Sequence, residues 1–342
     1  MLSALILGTA AALSTTAGAT AQTAHAGSTV YYRLVQYPQA GFGGLYAQIG
    51  AARRSIDMEM YELKDPVAEQ DLAAAARRGV TVRVLLDRDY SGADVNAPAH
   101  AYLEAHGVQV RWAQAHYIFH IKATSFDDRS ADVSTANLTA EYYSSTRDAE
   151  VIDTDPAQVK AIEQTFANDW AAAPDDTPRE QTVQAPGLVW SPNTGSDSAE
   201  TAMVAQINSA KHAVEFESEE LSDAPVYDAL AAAARRGVRC RIVMTDSGDW
   251  DEAFAAVTKA GCLVHVFPDS SSALYIHEKL VLDDPGTATQ SLEIGSQNAS
   301  WESLHENREL GLLIHAANGG AAVIASVNGT FQQDFGNASS WH

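Results

Sequence analysis

The chain repeats itself once. Ala47-Gln48-Ile49 opens the stretch AQIGAARRSIDMEMYELKD, and Ala205-Gln206-Ile207, 158 positions later, opens AQINSAKHAVEFESEELSD. The same offset aligns LAAAARRGVTVRVLLD, from Leu72, with LAAAARRGVRCRIVMT, from Leu230. Solenoid repeats run to about 20–50 residues, so a unit this long is half a molecule rather than one rung of a stack. Cleavage after Ala26 would leave 316 of the 342 residues, twice the offset, and two copies would then fill the mature chain.

Each copy reads as alternating helix and strand. Apolar spacing at Leu45, Ile49 and Ala52 predicts a helix, and an alternating strand follows from Ser55 to Tyr61. A second helix from Asp65 to Arg78 ends at Gly79, and Val80 to Leu86 reads as a buried strand. The second copy repeats this with Gly237 as the stop and Val238 to Met244 as the strand. A further helix and strand end at Gly107 to Trp112 and at Gly261 to Phe267. This order predicts an α/β fold of two similar units, each a mixed, largely parallel sheet flanked by helices. Residues 27–170 form the first half, the Pro- and Asp-rich stretch 171–186 the linker, and residues 187–342 the second half.

Residues 1–26 read as a secretory signal peptide: an apolar run from Met1 to Leu13, then small residues, with no charged side chain before residue 30. The apolar run is too short to span a bilayer. An exported chain permits a disulfide between its two cysteines, Cys240 and Cys262, although two buried thiols fit the same β-like runs. The 44 acidic against 22 basic residues give a net charge of −22, which repels polyanions and disfavours nucleic acid as a partner. Only six residues are lysines, so where they cluster is informative.

Two of the six stand in matching motifs. His120-Ile121-Lys122 is followed by Asp127 and Ser134-Thr135-Ala136-Asn137; His277-Glu278-Lys279 is followed by Asp284 and Gly295-Ser296-Gln297-Asn298. Chance predicts about 0.02 such His-x-Lys-x4-acid matches in a chain of this composition, and two occur in register with the repeat. Residues two apart on a strand share a face, so each His and Lys point together. The acids sit at a turn, and the returning strands lead to Asn137 and Asn298. If the halves pack about a pseudo-twofold axis, two His, two Lys and two Asn meet in one anion pocket. There a neutral imidazole can attack phosphorus, a protonated one can donate to the leaving oxygen, and no metal or other cofactor is required.

The duplicated His-x-Lys-x4-Asp pattern resembles the phospholipase D superfamily, over essentially the whole mature chain. The resemblance implies His120 as the nucleophile and His277 as the general acid. Lys122, Lys279, Asn137 and Asn298 would hold the phosphoryl oxygens, with Thr135 and Ser296 beside them as substrate-binding residues. An acid after each motif orients the catalytic His in that family, a place matched here by Glu150 in RDAEV and Glu309 in NRELG. Asp127 and Asp284 are expected to be structural. Two departures stand out: Ser134 replaces a Gly, and the second motif carries ten rather than six residues between Asp284 and Gly295.

The expected activity is a secreted phospholipase D-type phosphodiesterase. It would convert phosphatidylcholine or a similar lipid to phosphatidic acid and a free alcohol through a phosphohistidine, with head-group exchange as a secondary reaction. The alternatives are a metal-independent exported nuclease and a phosphate-binding module without turnover. Tyr117, Phe119, Tyr142, Tyr143, Tyr275 and Trp301 flank the motifs and are candidates for a pocket or membrane-facing rim. Both motifs lie in one chain, so a monomer is the default.

Overall fold

The computed structural model describes residues 30–88, 93–116, 118–175, 182–193 and 198–342. The expected signal peptide, residues 1–26, and Tyr117 lie outside the described residues. The first half runs β1 (Tyr32–Tyr37), α1 (Gly43–Ala51), β2 (Ser55–Met60), β3 (Leu63–Lys64), α2 (Pro66–Arg77) and β4 (Thr81–Leu86). It continues with α3 (Ala93–Ala105), β5 (Gln109–Trp112), β6 (Lys122–Phe126), β7 (Ser130–Ser134), β8 (Leu138–Thr139), β9 (Thr146–Asp153) and α4 (Pro156–Ala172). The second half opens with β10 (Leu188–Ser191), α5 (Ala199–Ser209), β11 (Ala213–Glu217), α6 (Ala224–Arg235), β12 (Arg239–Thr245) and α7 (Asp251–Ala260). Then come β13 (Leu263–Phe267), β14 (Tyr275–Ile276), β15 (Leu280–Asp283), β16 (Ser291–Gly295), α8 (Trp301–His305), β17 (Glu309–His315), α9 (Ala321–Asn337) and β18 (Ser339–Ser340).

The two sheets have the same order: β1-β9-β7-β6-β2-β4-β5 in the first, and β10-β17-β16-β15-β11-β12-β13 with β18 added in the second. The fold is the expected pair of mixed α/β units. Strands β1, β2, β4, β5 and β7 run one way while β6 and β9 run the other. Within these two strand orders the parallel neighbours are β2-β4-β5 and β11-β12-β13, where helices make the crossovers. Each His-x-Lys segment instead feeds a hairpin, which requires antiparallel pairing.

Helix boundaries follow local chemistry. Asp65 accepts from the backbone N–H groups of Val67 and Ala68 ahead of Pro66, and Asp223 accepts from that of Val226 at the equivalent helix. Gly79 and Gly237 take positive φ just beyond the two helices, which closes them before the next strand. Helix α4 extends into the expected linker as far as Ala172, and a short 3-10 turn follows at Ala173–Asp175. Residues 176–181 lie outside the described set.

The apolar residues form layers. Helices α1 to α3 pack on the first sheet through Leu45, Leu72 and Leu103, and α5 to α7 on the second through Ile207, Leu230 and Phe254. Between the sheets lies a shared core. Ile121, Val133 and Val151 of the first half meet Trp190, Leu282 and Leu312 of the second, together with Phe166 of α4 and Ile324 of α9. Two buried ion pairs cross this boundary reciprocally. Arg147 of β9 binds Asp334 of α9 (Nε–Oδ2 2.6 Å), and Arg308, just before β17, binds Asp169 of α4 (Nη2–Oδ2 2.7 Å). Cys240 and Cys262 are disulfide-bonded, at the start of β12 and just ahead of β13.

Candidate active site

The two hairpins position the motif residues. Lys122 opens β6, with His120 in the extended segment just ahead of it; Lys279 immediately precedes β15. The segment carrying His277 is pinned across the molecule: β14 pairs in parallel with β9 of the first half, and His277 N–H donates to Arg147 O (3.1 Å). In the reverse direction, Arg308 N–H donates to Ile118 O, two residues before His120 (2.8 Å). The outcome is one open cavity of ≈ 900 Å³ lined by His120, His277, Asn137 and Asn298 together.

Each imidazole is held by a carboxylate of the other half. His120 Nδ1 lies 2.9 Å from Glu309 Oε1 and 3.0 Å from Oε2. His277 Nδ1 lies 2.7 Å from Asp148 Oδ1. The carboxylates are themselves fixed: Glu309 accepts from Ser303 Oγ (2.6 Å), and Asp148 from Thr135 Oγ1 (2.6 Å). An acceptor on Nδ1 sets the tautomer and leaves Nε2 for chemistry in the cavity.

The electrostatics follow from burial. Burial, reinforced by Lys122 and Lys279 and opposed by Glu309, holds the His120 imidazole below its ordinary pKa. Burial likewise pulls the Lys122 ammonium down to about 7. Burial alone would raise Asp148 and Glu309, but His277 and Lys279 beside the one, and His120 and Lys122 beside the other, keep both below the usual carboxylate range. Both lysines return a hydrogen bond to the backbone of their own motif: Lys122 Nζ donates to His120 O (2.5 Å) and Lys279 Nζ to His277 O.

Several sequence-based assignments change. Glu150 does not meet His277; it accepts from the Tyr37 hydroxyl (2.7 Å), and Asp148 takes the place beside the imidazole. The strand register explains why. Asp148 pairs with Tyr37 as Glu309 pairs with Ser191, whereas Glu150 pairs with Ser134 in the place where Gly311 faces Gly295. Thr135 and Ser296 are fully buried and do not line the cavity. Thr135 serves Asp148, and Ser296 Oγ accepts from the N–H of Leu310, the residue after Glu309 (3.0 Å), so neither hydroxyl faces the cavity.

Asp127 and Asp284 lie at the hairpin turns. Each accepts from three backbone N–H groups: those of Arg53, Arg54 and Ser55, and those of Lys211, His212 and Ala213. The four extra residues of the second motif lie in its turn, where Asp283 pairs with Ser291 while Phe126 pairs with Ser130 in the shorter hairpin. A Cβ on Gly295 would meet Leu310 O at 2.3 Å. In the matching place the Ser134 hydroxyl donates to Ala149 O, the counterpart of Leu310 O (3.4 Å), and accepts from Ala136 N–H (3.0 Å).

Two further cavity residues carry no motif signature: Tyr61, whose ring lies edge-on to His120 at 4.7 Å, and Glu219. Of the flanking aromatics, Tyr142 and Tyr275 line the cavity, Trp301 is exposed beside lining residues Ser300 and Glu302, and Phe119 is core. Among the described residues the group with metal-ligand spacing is Glu200, Asp223 and His305, with ligand atoms within 4.8 Å of one another, and none of the three lines the cavity.

Comparison with known proteins places these features. The sequence profile of the family described as "Cardiolipin synthase, PLD-like domain" matches residues 45–170 and 203–335. Mitochondrial cardiolipin hydrolase of Xenopus laevis is 28% identical over 134 residues, 39% of this chain and 63% of that protein. The human mitochondrial cardiolipin hydrolase is 28% identical over 35% of this chain and 47% of its own length. These matches thus span less than two thirds of the relatives. The fold is similar to phosphatidylserine synthase of Haemophilus influenzae Rd KW20, with a TM-score of 0.68 at 13% identity, covering 91% of this chain and 87% of that one. Polyphosphate kinase of Porphyromonas gingivalis aligns with a TM-score of 0.60 at 15% identity over 83% of this chain and 47% of the other.

Proposed function

The chain belongs to the cardiolipin synthase-type family of phospholipase D-like domains, and on that premise we propose that it is a phospholipid head-group phosphodiesterase acting through a phosphohistidine. The observation that carries this reading is the reciprocal hold on two histidines at one cavity, His120 by Glu309 and His277 by Asp148. In the first step His120 Nε2 attacks phosphorus and the bond to the head-group oxygen breaks. His277 Nε2 gives its proton to that oxygen, and the alcohol leaves. In the second step water attacks the phosphohistidine, His277 takes a proton from it, and phosphatidic acid departs as His120 is regenerated. The low pKa of His120 supports its place as the nucleophile, since it is neutral near pH 7. Lys122, Lys279, Asn137 and Asn298 would stabilise the charge on the phosphoryl oxygens. An alcohol in place of water would give head-group exchange.

Phosphatidylcholine or a similar lipid is the substrate we propose. The exposed rings of Tyr142 and Trp301 beside the cavity suit contact with a lipid interface. Export through residues 1–26 completes the proposal, and the Cys240–Cys262 disulfide suits an oxidising compartment. Because each half supplies one histidine, we take the monomer as the active form.

Choline release from phosphatidylcholine vesicles in excess chelator, compared among wild type, His120→Ala and His277→Ala, tests the proposal. Release that is lost in both variants supports it. Folded wild-type protein that releases no head group rejects the choline-lipid assignment.

A further inference from the structure

Tyr61 and Glu219 are 158 positions apart, the offset of the repeat, yet they put opposite chemistry into the cavity. The Tyr61 ring faces Lys122 Nζ at 4.9 Å. Glu219 instead brings a carboxylate. Its Oε2 accepts from Lys279 Nζ (2.8 Å) and Asn298 Nδ2 (3.3 Å) and lies 3.4 Å from His277 Nε2, while its Oε1 accepts from the Tyr275 hydroxyl (3.1 Å). The three groups around Oε2 are those assigned above to a phosphoryl oxygen and to the leaving-group proton. Glu219 thus occupies the place of a phosphate oxygen. Burial would raise its pKa, but His277 and Lys279 hold it well below the carboxylate range, so it is an anion there.

A bound phosphodiester must take Lys279 and Asn298 from Glu219, and its leaving oxygen takes the proton donor His277 Nε2, the other cation beside the carboxylate. The displaced carboxylate keeps the Tyr275 hydroxyl and faces a cavity whose described lining includes Glu62, Glu220, Asp269 and Glu302 but no Lys or Arg. A half-buried carboxylate deprived of its cation is costly unless a new one arrives. The substrate is the remaining source. We propose that Glu219 makes the site select phosphodiesters whose leaving group carries an ammonium, over those with a neutral or anionic leaving group. This rests on the phosphodiesterase reading and adds to it the residue that reads the head group.

Turnover of bis(p-nitrophenyl) phosphate reports the reaction independently of any head group. Glycerophosphocholine and glycerophosphoglycerol, two soluble diesters differing in that cation, then compete with it. Wild type is expected to bind the choline diester about tenfold more tightly, corresponding to about 1.4 kcal/mol. In Glu219→Gln the two inhibition constants are expected to come within about twofold. Equal constants in wild type, or an unchanged ratio in Glu219→Gln, would overturn the inference and leave the reaction standing. Folded wild type that fails to turn over the nitrophenyl diester would overturn the phosphodiesterase reading and this inference with it.

Discussion

His277 takes its orientation from Asp148 of the opposite half, 2.7 Å from Nδ1, while Glu150, two residues further along the same strand, holds the Tyr37 hydroxyl. The two acids are therefore separable. Asp148→Asn removes the charge behind the proton donor, and kcat for head-group release should fall by about 10²–10⁴-fold. Glu150→Gln keeps an acceptor for Tyr37, and kcat should stay within about threefold. Steady-state kinetics on both folded variants decides it; a loss in Glu150→Gln larger than in Asp148→Asn would return the orienting role to Glu150.

That distinction was partly legible. The helices, the strands of the repeat and both His-x-Lys motifs follow from periodicity and spacing, because helix caps and turn acids are local chemistry. The orienting acid is set by register across the sheet, which the offset of 158 obscures. The four residues added to the second hairpin shift everything after it, so that Asn137 to Asn298 and Asp148 to Glu309 share an offset of 161. At that offset Arg147-Asp148 aligns with Arg308-Glu309, a signal present in the sequence. Glu219 carried no such signal: its meaning depends on Lys279, Asn298 and Tyr275 arriving at the same point.

Lys122 should set an alkaline limit on substrate capture. Burial lowers its pKa to about 7, and the protonated form is the one that attracts phosphate. In the free enzyme the charge is present below pH 7 and lost above it, so kcat/KM should fall as pH rises through about 7, chiefly through KM. Lys122→Arg, always charged, should flatten that limb even at lower absolute activity. A pH profile of kcat/KM for the two proteins checks this, and identical alkaline limbs would sink it.

The crossed pairs Arg147–Asp334 and Arg308–Asp169 tie the halves together behind the site. Asp169→Asn strips the buried Arg308 guanidinium of its paired carboxylate. With the proton-bearing Glu59 beside it to restore part of the charge, the loss should be about 2–3 kcal/mol, below the about 3–5 kcal/mol of an uncompensated pair. Urea unfolding should show that loss within one cooperative transition, since the central core is common to both halves. A change below about 1 kcal/mol, or two separate transitions in wild type, would contradict the shared-core account.

Stability should fall from pH 5 to 7, against the common pattern of acid-labile proteins. Glu293 lies on β16 opposite Val281 and Leu313, and neither carboxylate oxygen has a hydrogen-bond partner among the described residues. Burial pushes it up to about 8, and burial pushes Asp283 to about 8 as well. Unfolded, such groups titrate near 4, so between about pH 4 and 8 the native state binds more protons than the unfolded chain. The sign follows: stability decreases with rising pH across that window. The depressed carboxylates, Asp148 and Glu309, act in the opposite sense only as pH falls below about 4, outside the window. Glu293→Gln replaces an acid that must stay protonated with a group that is always neutral. Its Tm should match wild type closely at pH 5 and exceed it by several degrees at pH 7. Equal shifts at the two pH values would mean that Glu293 does not carry a proton in the folded protein.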